Sequence, residues 1–377
     1  MQLPYSDELN IGYLSRLFDN TTNCYKFFWF QAILRKLDGN NVRFSFDELI
    51  DEMIADAWYM VTEYHLRLGP LGITDNLEEV VKYIHKEYGH ASSEKREKII
   101  AFLQNTDDKK IRKYKSDLTL NVPYRLQVPF YDEITIERSM WNSSKELLTA
   151  EINRQRRLMY YFTLISGLGT VIEVDATWAE YLVKHKEILK AWTQLKLIQY
   201  LQNKNPSVPG IADKIEAPVA RDIERVRKYW KLIIQIDPSL TDIYGAVELA
   251  DESISVDHFV PWQYVAHDEL WNLHPTTKSI NSSKSNSLPS WSLYFDPLGE
   301  IEFRAYELKS RHEILAKEFS KIAPYHLNNQ EIKNQLYADG LDRATFKQRL
   351  EHVIRPVYES AQTQGFKEWT YNECNNI

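Results

Sequence analysis

The run Ser255-Val-Asp-His-Phe-Val-Pro261 sets an acid beside an imidazole in an apolar, β-branched stretch, and the segments after it stand at fixed distances. Leu270-Trp-Asn-Leu273 puts Asn272 fourteen positions past His258. Ile280-Asn-Ser-Ser-Lys-Ser-Asn-Ser-Leu-Pro289 puts Asn281 nine further on and Lys284 three beyond that. The first piece reads as a strand and the last as the start of a helix, with Lys284 one turn after Asn281 on the same face, where it could reach a phosphate oxygen. Neighbours on a regular strand point to opposite faces, so Asp257 and His258 serve one target only where the strand end bends.

Taken together, these residues resemble the HNH signature of the ββα-metal endonucleases. The likeness is closest to the HNH domains of RNA-guided CRISPR nucleases. Those share the Asp-His pair, a proline shortly after it, both asparagine spacings, the lysine, and a proline where Pro289 stands. It begins near Asp242-Ile-Tyr-Gly245, where the family places its first hairpin, and the chain as a whole resembles bacterial HNH-domain proteins. The resemblance implies an α+β chain, mainly α-helical, with a small ββα-metal nuclease domain toward its C-terminal part. It also implies the strand-end bend, His258 as general base, Asp257 and Asn281 as metal ligands, and Asn272 as the residue that ties the loop and orients the base.

The chemistry needs these residue types. Phosphodiester hydrolysis takes an activated water and a cation to offset charge on the phosphate and the departing oxygen. Neutral imidazole, with an unperturbed pKa near ~6.5, accepts a proton at physiological pH. A hard divalent ion prefers oxygen ligands and keeps several waters, so one carboxylate and one amide carbonyl suffice. Mg²⁺ or Mn²⁺ is therefore the expected cofactor. No structural zinc is expected, because the paired cysteines many HNH proteins carry are missing and Tyr244-Gly245 stands near where a first pair falls. Packing by Trp262, Trp271 and Trp291 is expected in its place.

Whole-chain properties set the frame. At 377 residues the chain has room for two or three domains. Cys24 and Cys374 alone make neither a zinc knuckle nor a disulfide framework, which points to a reducing, cytoplasmic compartment. The N-terminus has no apolar signal region. Residues 158–174 form the longest apolar stretch, but it is interrupted and short of the ~20 residues that span a bilayer, so it reads as core and no membrane contact is expected. The net charge of −7 argues against a basic whole-protein surface, yet residues 121–236 hold 17 Lys+Arg against 13 Asp+Glu. A local basic face is what a phosphate backbone needs.

The pattern divides into a helical N-terminal domain at 1–120, a mixed, basic middle region at 121–236, the HNH domain at 237–306 and a C-terminal helical segment at 307–377. Helices are expected at 14–37, 46–68, 76–87, 93–104, 178–201, 220–236 and 307–322. Residues 116–136, with Pro123 and Pro129, read as an extended crossover. Residues 291–306 read as a strand pair around a turn at Asp296-Pro-Leu-Gly299.

Other features carry plainer readings. His267 and His274 match no signature position and read as packing or surface residues; His65, His85, His90 and His312 read as ordinary. Ser166-Gly-Leu-Gly-Thr170 lacks the Lys-Ser/Thr of a phosphate loop. Arg154, Arg156 and Arg157, with Arg221, Arg225, Arg227, Lys228 and Lys231, read either as a nucleic-acid-binding surface or as solvated helix faces.

The expected function is metal-dependent endonuclease action on nucleic acid, DNA in the first place, in a bacterial restriction or anti-phage role. A regulatory protein partner or homo-oligomer is compatible with it. The alternative keeps the fold without catalysis, as a dormant HNH subunit acting as a nucleic-acid-binding or partner-binding scaffold.

Overall fold

The computed structural model describes residues 2–131, 136, 138–154, 158–216, 223–245, 247–249 and 254–371. The chain divides into two compact units, one of residues 1–206 with 214–217, the other of 207–213 with 218–377. Residues 121–206 thus fall in the same unit as 1–120, and 307–371 in the same unit as the signature.

The first unit runs α1 (Ile11–Ser15), α2 (Tyr25–Lys36), β1 (Arg43–Ser45), α3 (Phe46–Thr62), α4 (Asn76–Tyr88), α5 (Arg96–Asn105), α6 (Lys109–Leu118), α7 (Val122–Arg125), α8 (Lys145–Asn153), β2 (Tyr160–Leu164), β3 (Val171–Val174), α9 (Ala176–Lys184) and α10 (Lys186–Lys204). α2 buries Phe27, Phe28, Trp29, Phe30, Ala32, Ile33 and Leu34, almost its whole circumference, and so forms the centre of the unit with α3 and α10 around it. Ser45 and Glu48 close a reciprocal capping box at the start of α3. The apolar 158–174 stretch, expected as core, is the antiparallel β2–β3 hairpin with β1 on its outer edge; its strands bury Tyr160, Phe162, Ile172 and Val174, while Leu164 and most of the turn are exposed. Ser166 to Thr170 form that hairpin's turn.

Three expectations in this unit need correction. The helix expected over 14–37 is two, α1 and α2, separated by non-helical residues 16–24. The expected crossover at 116–136 is, where described, a succession of helical turns, because Pro123 and Pro129 sit in the first turns of their helices, where a missing N–H costs nothing. The single helix expected over 178–201 is two, α9 and α10, meeting at His185, which ends one and caps the other.

The second unit runs α11 (Glu224–Ile236), β4 (Ile254–His258), α12 (Trp262–Val265), β5 (Leu273–Thr277), α13 (Lys278–Lys284), β6 (Leu288–Pro289), α14 (Trp291–Arg311), α15 (Glu313–His326), α16 (Gln330–Leu336), α17 (Arg343–Thr363) and β7 (Glu368–Trp369). α11 presents Val226, Tyr229, Trp230, Ile233 and Ile234 at helical spacing to the β4–β5 hairpin and α15, and Trp230 Nε1 donates to the Leu273 carbonyl at 3.1 Å. α13 packs on the same hairpin. Among the described residues no helix is long and apolar enough to cross a membrane.

The strand pair expected at 291–306 is also corrected: this stretch is the first three-quarters of α14, with Pro297 inside it, and α15 follows after His312. Tyr294, Leu298, Ile301, Ala305 and Leu308 are buried at helical spacing. Burial of that stripe outweighs the local turn preference of Asp-Pro-Leu-Gly and the hydrogen bond that Pro297 cannot donate.

Beneath β5, Glu302 of α14 is buried in an apolar setting with Tyr229, Trp230, Leu273 and Tyr337, and its Oε1 has no hydrogen bond. Burial pushes its carboxyl well above the ordinary 4.5. Stability contributed by this neutral acid is full below 4.5 and falls as pH rises toward the folded-state value, because the unfolded chain ionises first. A Glu302→Gln variant should melt at higher temperature than wild type at pH 8, with the gap closing toward pH 4. Parallel melting curves over that range would count against a neutral Glu302.

Candidate active site

The β4–β5 hairpin is antiparallel and in register from Ile254↔Thr277 to His258↔Leu273, with Asp257 opposite His274. Ladder pairing therefore runs through His258 without interruption, and Asp257 and His258 leave the strand on opposite faces. No bend separates Asp257 from His258, which corrects the strand-end bend that the family resemblance implies.

Asp257 is turned into the protein. Its Oδ2 accepts from the Tyr244 hydroxyl at 2.8 Å, and the Lys284 ammonium from α13 stands 3.2 Å from Oδ1 and 3.0 Å from Oδ2. The same ammonium donates to the His258 carbonyl at 2.7 Å. Burial alone raises the Asp257 carboxyl, but the Lys284 charge and the Tyr244 hydroxyl hold it below the ordinary 3.8. His274, which burial pushes down to about 3, is neutral at pH 7 and adds no charge there. Lys284 is itself completely buried. Its ammonium thus faces Asp257 and the strand backbone, not solvent, which corrects the expectation that it reaches a phosphate.

On the other face, His258 Nε2 lies 2.8 Å from Asp268 Oδ1. A carboxylate only accepts, so Nε2 carries the proton and Nδ1 is the basic nitrogen of the neutral ring. The loop bearing Asp268 is pinned from α15 and the turn after it. His326 Nδ1 lies 2.7 Å from the Asp268 carbonyl, and the Glu269 carboxylate accepts from the Asn328 backbone N–H at 3.0 Å and from its Nδ2 at 2.7 Å.

Asn272 closes this loop at its base. Its Oδ1 accepts from the Val260 N–H at 2.7 Å and its Nδ2 donates to the Val260 carbonyl at 2.9 Å, while its own carbonyl accepts from the Phe259 N–H. Asn272 and Val260 are both fully buried, so these backbone groups have no water to fall back on. An Asn272→Ala variant should lose about 1–3 kcal/mol of unfolding free energy in urea denaturation, the cost of stranding buried polar groups; no measurable loss would show that the loop does not depend on the clip.

Asn281 on α13 donates from Nδ2 to Ser255 Oγ at 2.8 Å and to the Val256 carbonyl at 3.3 Å. Ser255 and Asp257 share a strand face, so the amide of Asn281 stands over the same side of the hairpin as the Asp257 carboxylate, with its oxygen as the uncommitted end. Thr277 caps α13 by accepting from the Ile280 N–H. Before the hairpin, Asp242 folds its turn by accepting from the N–H groups of Tyr244 and Gly245 at 2.8 and 2.7 Å, and Thr276 on β5 donates to its other oxygen. Tyr244 is thereby fixed above Asp257, edge-on to Tyr294 and Trp369.

Asp257 and Asn281 fit a hard divalent ion in donor chemistry. One is an ionised carboxylate, the other an amide oxygen, and buried His274 nearby has both ring nitrogens without a hydrogen bond. No group of three or more His, Cys, Asp or Glu side chains suited to a metal occurs among the described residues. Trp271 is buried, and Trp262 and Trp291 are half-buried, around the hairpin. Tyr244, Asp268 and His274 were not singled out as site residues in the sequence. Tyr244 and His274 lie inside the signature stretch, but no spacing rule marks them.

On α11, Lys228 is exposed, Lys231 half-buried, Arg225 stacks on the Tyr325 ring at 4.3 Å, and Arg227 pairs with Glu224. Arg221, like Arg156 and Arg157, lies outside the described residues.

Residues 242–290 match the family model described as HNH endonuclease. No curated protein and no solved structure matches the chain.

Proposed function

From an HNH endonuclease unit at residues 242–290, we propose that the protein is a metal-dependent endonuclease that hydrolyses phosphodiester bonds in nucleic acid, with DNA as its substrate. The observation that carries this reading is the His258–Asp268 pair, next along β4 to an Asp257 that is held in its charged form on the opposite face of the strand.

His258 takes the proton of the attacking water on Nδ1, and Asp268 fixes the tautomer that allows it and faces the imidazolium that results. Asp257 and Asn281 would hold Mg²⁺ or Mn²⁺, which when bound offsets charge on the phosphate and the departing oxygen. Asn272 keeps the loop between the base and Asp268 in one geometry. Lys284 keeps Asp257 ionised and anchors the His258 carbonyl. Cleavage leaves a 5′-phosphate and a 3′-hydroxyl, as the HNH resemblance implies. Arg225, Lys228 and Lys231 on α11 support a role along the phosphate backbone, where each charge would add to the salt dependence of binding. A restriction or anti-phage role, in which the first unit or a protein partner restrains cutting, rests on analogy with other such nucleases.

The dormant-subunit reading draws on one observation, that Lys284 and Tyr244 already engage both oxygens of Asp257. Plasmid DNA, single-stranded DNA and RNA incubated with the full chain and Mg²⁺ or Mn²⁺, beside EDTA and His258→Ala controls, separate the two. Metal-dependent cutting confined to the wild type supports catalysis, and its strongest substrate gives the class. Binding without cutting on all three favours the scaffold.

A further inference from the structure

His274 of β5 is a buried ionisable side chain with no hydrogen-bond partner on either ring nitrogen. A buried polar atom left unsatisfied in a native fold calls for an explanation, and an ion is one of the few. A valine or leucine would fill the same place without that cost.

The position is specific. His274 pairs directly across the ladder from Asp257, so both side chains leave the hairpin on one face, the face that Asn281 and Lys284 of α13 reach. The ring stands against Tyr244, with centroids 5.3 Å apart and planes at 70°, and against Phe259. Its Nε2 lies 3.7 Å from Asp257 Oδ2. That is too long for a hydrogen bond. Two donors that each bind one ion at about 2.0–2.1 Å stand roughly 3.4 Å apart on a tetrahedral ion and roughly 3.0 Å apart as neighbours on an octahedral one, so a shared cation would draw this pair together by about 0.3–0.7 Å. That Oδ2 already carries the Lys284 ammonium at 3.0 Å and the Tyr244 hydroxyl at 2.8 Å, so an ion shared with His274 has to displace the ammonium from it.

We propose that His274 Nε2 is a third protein ligand, beside Asp257 and Asn281, for the divalent ion of this site, and that its nitrogen turns the site from Mg²⁺ toward a first-row transition ion. Imidazole suits Zn, Cu, Fe and Ni, whereas carboxylate, carbonyl and water oxygens suit Mg²⁺ and Mn²⁺, so Mn²⁺ serves as the EPR-visible probe of the nitrogen and not as the preferred ion. The inference rests on the metal-dependent reading above and deepens it.

The test is Mn²⁺ binding to the full-length protein, with and without a DNA duplex, read by pulsed EPR for ¹⁴N coupling and by calorimetry. Wild type should show imidazole ¹⁴N coupling to bound Mn²⁺. His258→Ala should keep it. His274→Leu, whose apolar side chain suits the buried position, should lose the coupling and bind Mn²⁺ about 10–100-fold more weakly, with little change for Mg²⁺. Bound Mn²⁺ without ¹⁴N coupling in wild type, or coupling that survives in His274→Leu, overturns the role of His274 and leaves the metal reading standing. Failure of wild type to bind Mn²⁺ under either condition removes both.

Discussion

A His258→Ala variant should cleave its nucleic-acid substrate about 10²–10⁴-fold more slowly than wild type, the usual worth of a positioned general base. The loss belongs in the chemical step, since the role proposed for the imidazole is to take the water's proton and its Nε2 is committed to Asp268. Single-turnover rates at saturating protein, with Mn²⁺ present, measure it directly. Added free imidazole should restore part of the rate in His258→Ala and none in Asp257→Asn, where the missing group is the proposed metal ligand and not the proposed base. A change of less than tenfold would remove His258 from the role of base, whatever the family resemblance.

Replacing Lys284 by methionine should cost about 3–5 kcal/mol of stability, because it leaves the Asp257 carboxylate buried without its counter-charge. The sign of the pH dependence should also reverse. In wild type the depressed Asp257 contributes stability above 3.8, which is lost as pH falls through its folded-state value. Without Lys284, burial dominates and raises the carboxyl, so the variant should weaken as pH climbs above 3.8. Denaturant titrations at pH 4 and pH 8 give both numbers. Adding Asp257→Asn to Lys284→Met should recover much of the loss, as expected of two groups whose energies are coupled. A variant as stable as wild type at pH 8 would show that the ammonium is not what holds Asp257 ionised.

Much of the candidate site's proximity was legible in sequence because its parts lie close along the chain. Asp257, His258, Asn272, Asn281 and Lys284 fall on one hairpin and the helix after it, and short-range spacing becomes short-range geometry. The orientation of Lys284 was not legible, since one helical turn from Asn281 places it over the hairpin without saying whether it faces out or in. Asp268 was missed because its meeting with His258 depends on how a fourteen-residue loop folds back, and that fold depends on His326 and Asn328, more than fifty positions away. The misreading of 291–306 has a different origin. Asp-Pro-Leu-Gly is a strong local turn signal, and only the longer stripe from Tyr294 to Leu308 reveals the helix that overrides it. In the first unit, His185 divides α9 from α10 with no glycine or proline to announce it.

The pinning of the Asp268 loop by His326 and Asn328 bears on how the nuclease unit can be handled. The matched stretch of residues 242–290 holds every signature side chain, yet the groups that hold the carboxylate partner of His258 in place come from beyond it. Transplanting the motif alone onto another scaffold would carry the reagents without the clamp. The smallest portable piece of this chemistry extends through the end of α15 and the turn that follows, so a graft has to be cut by its hydrogen bonds and not by its motif.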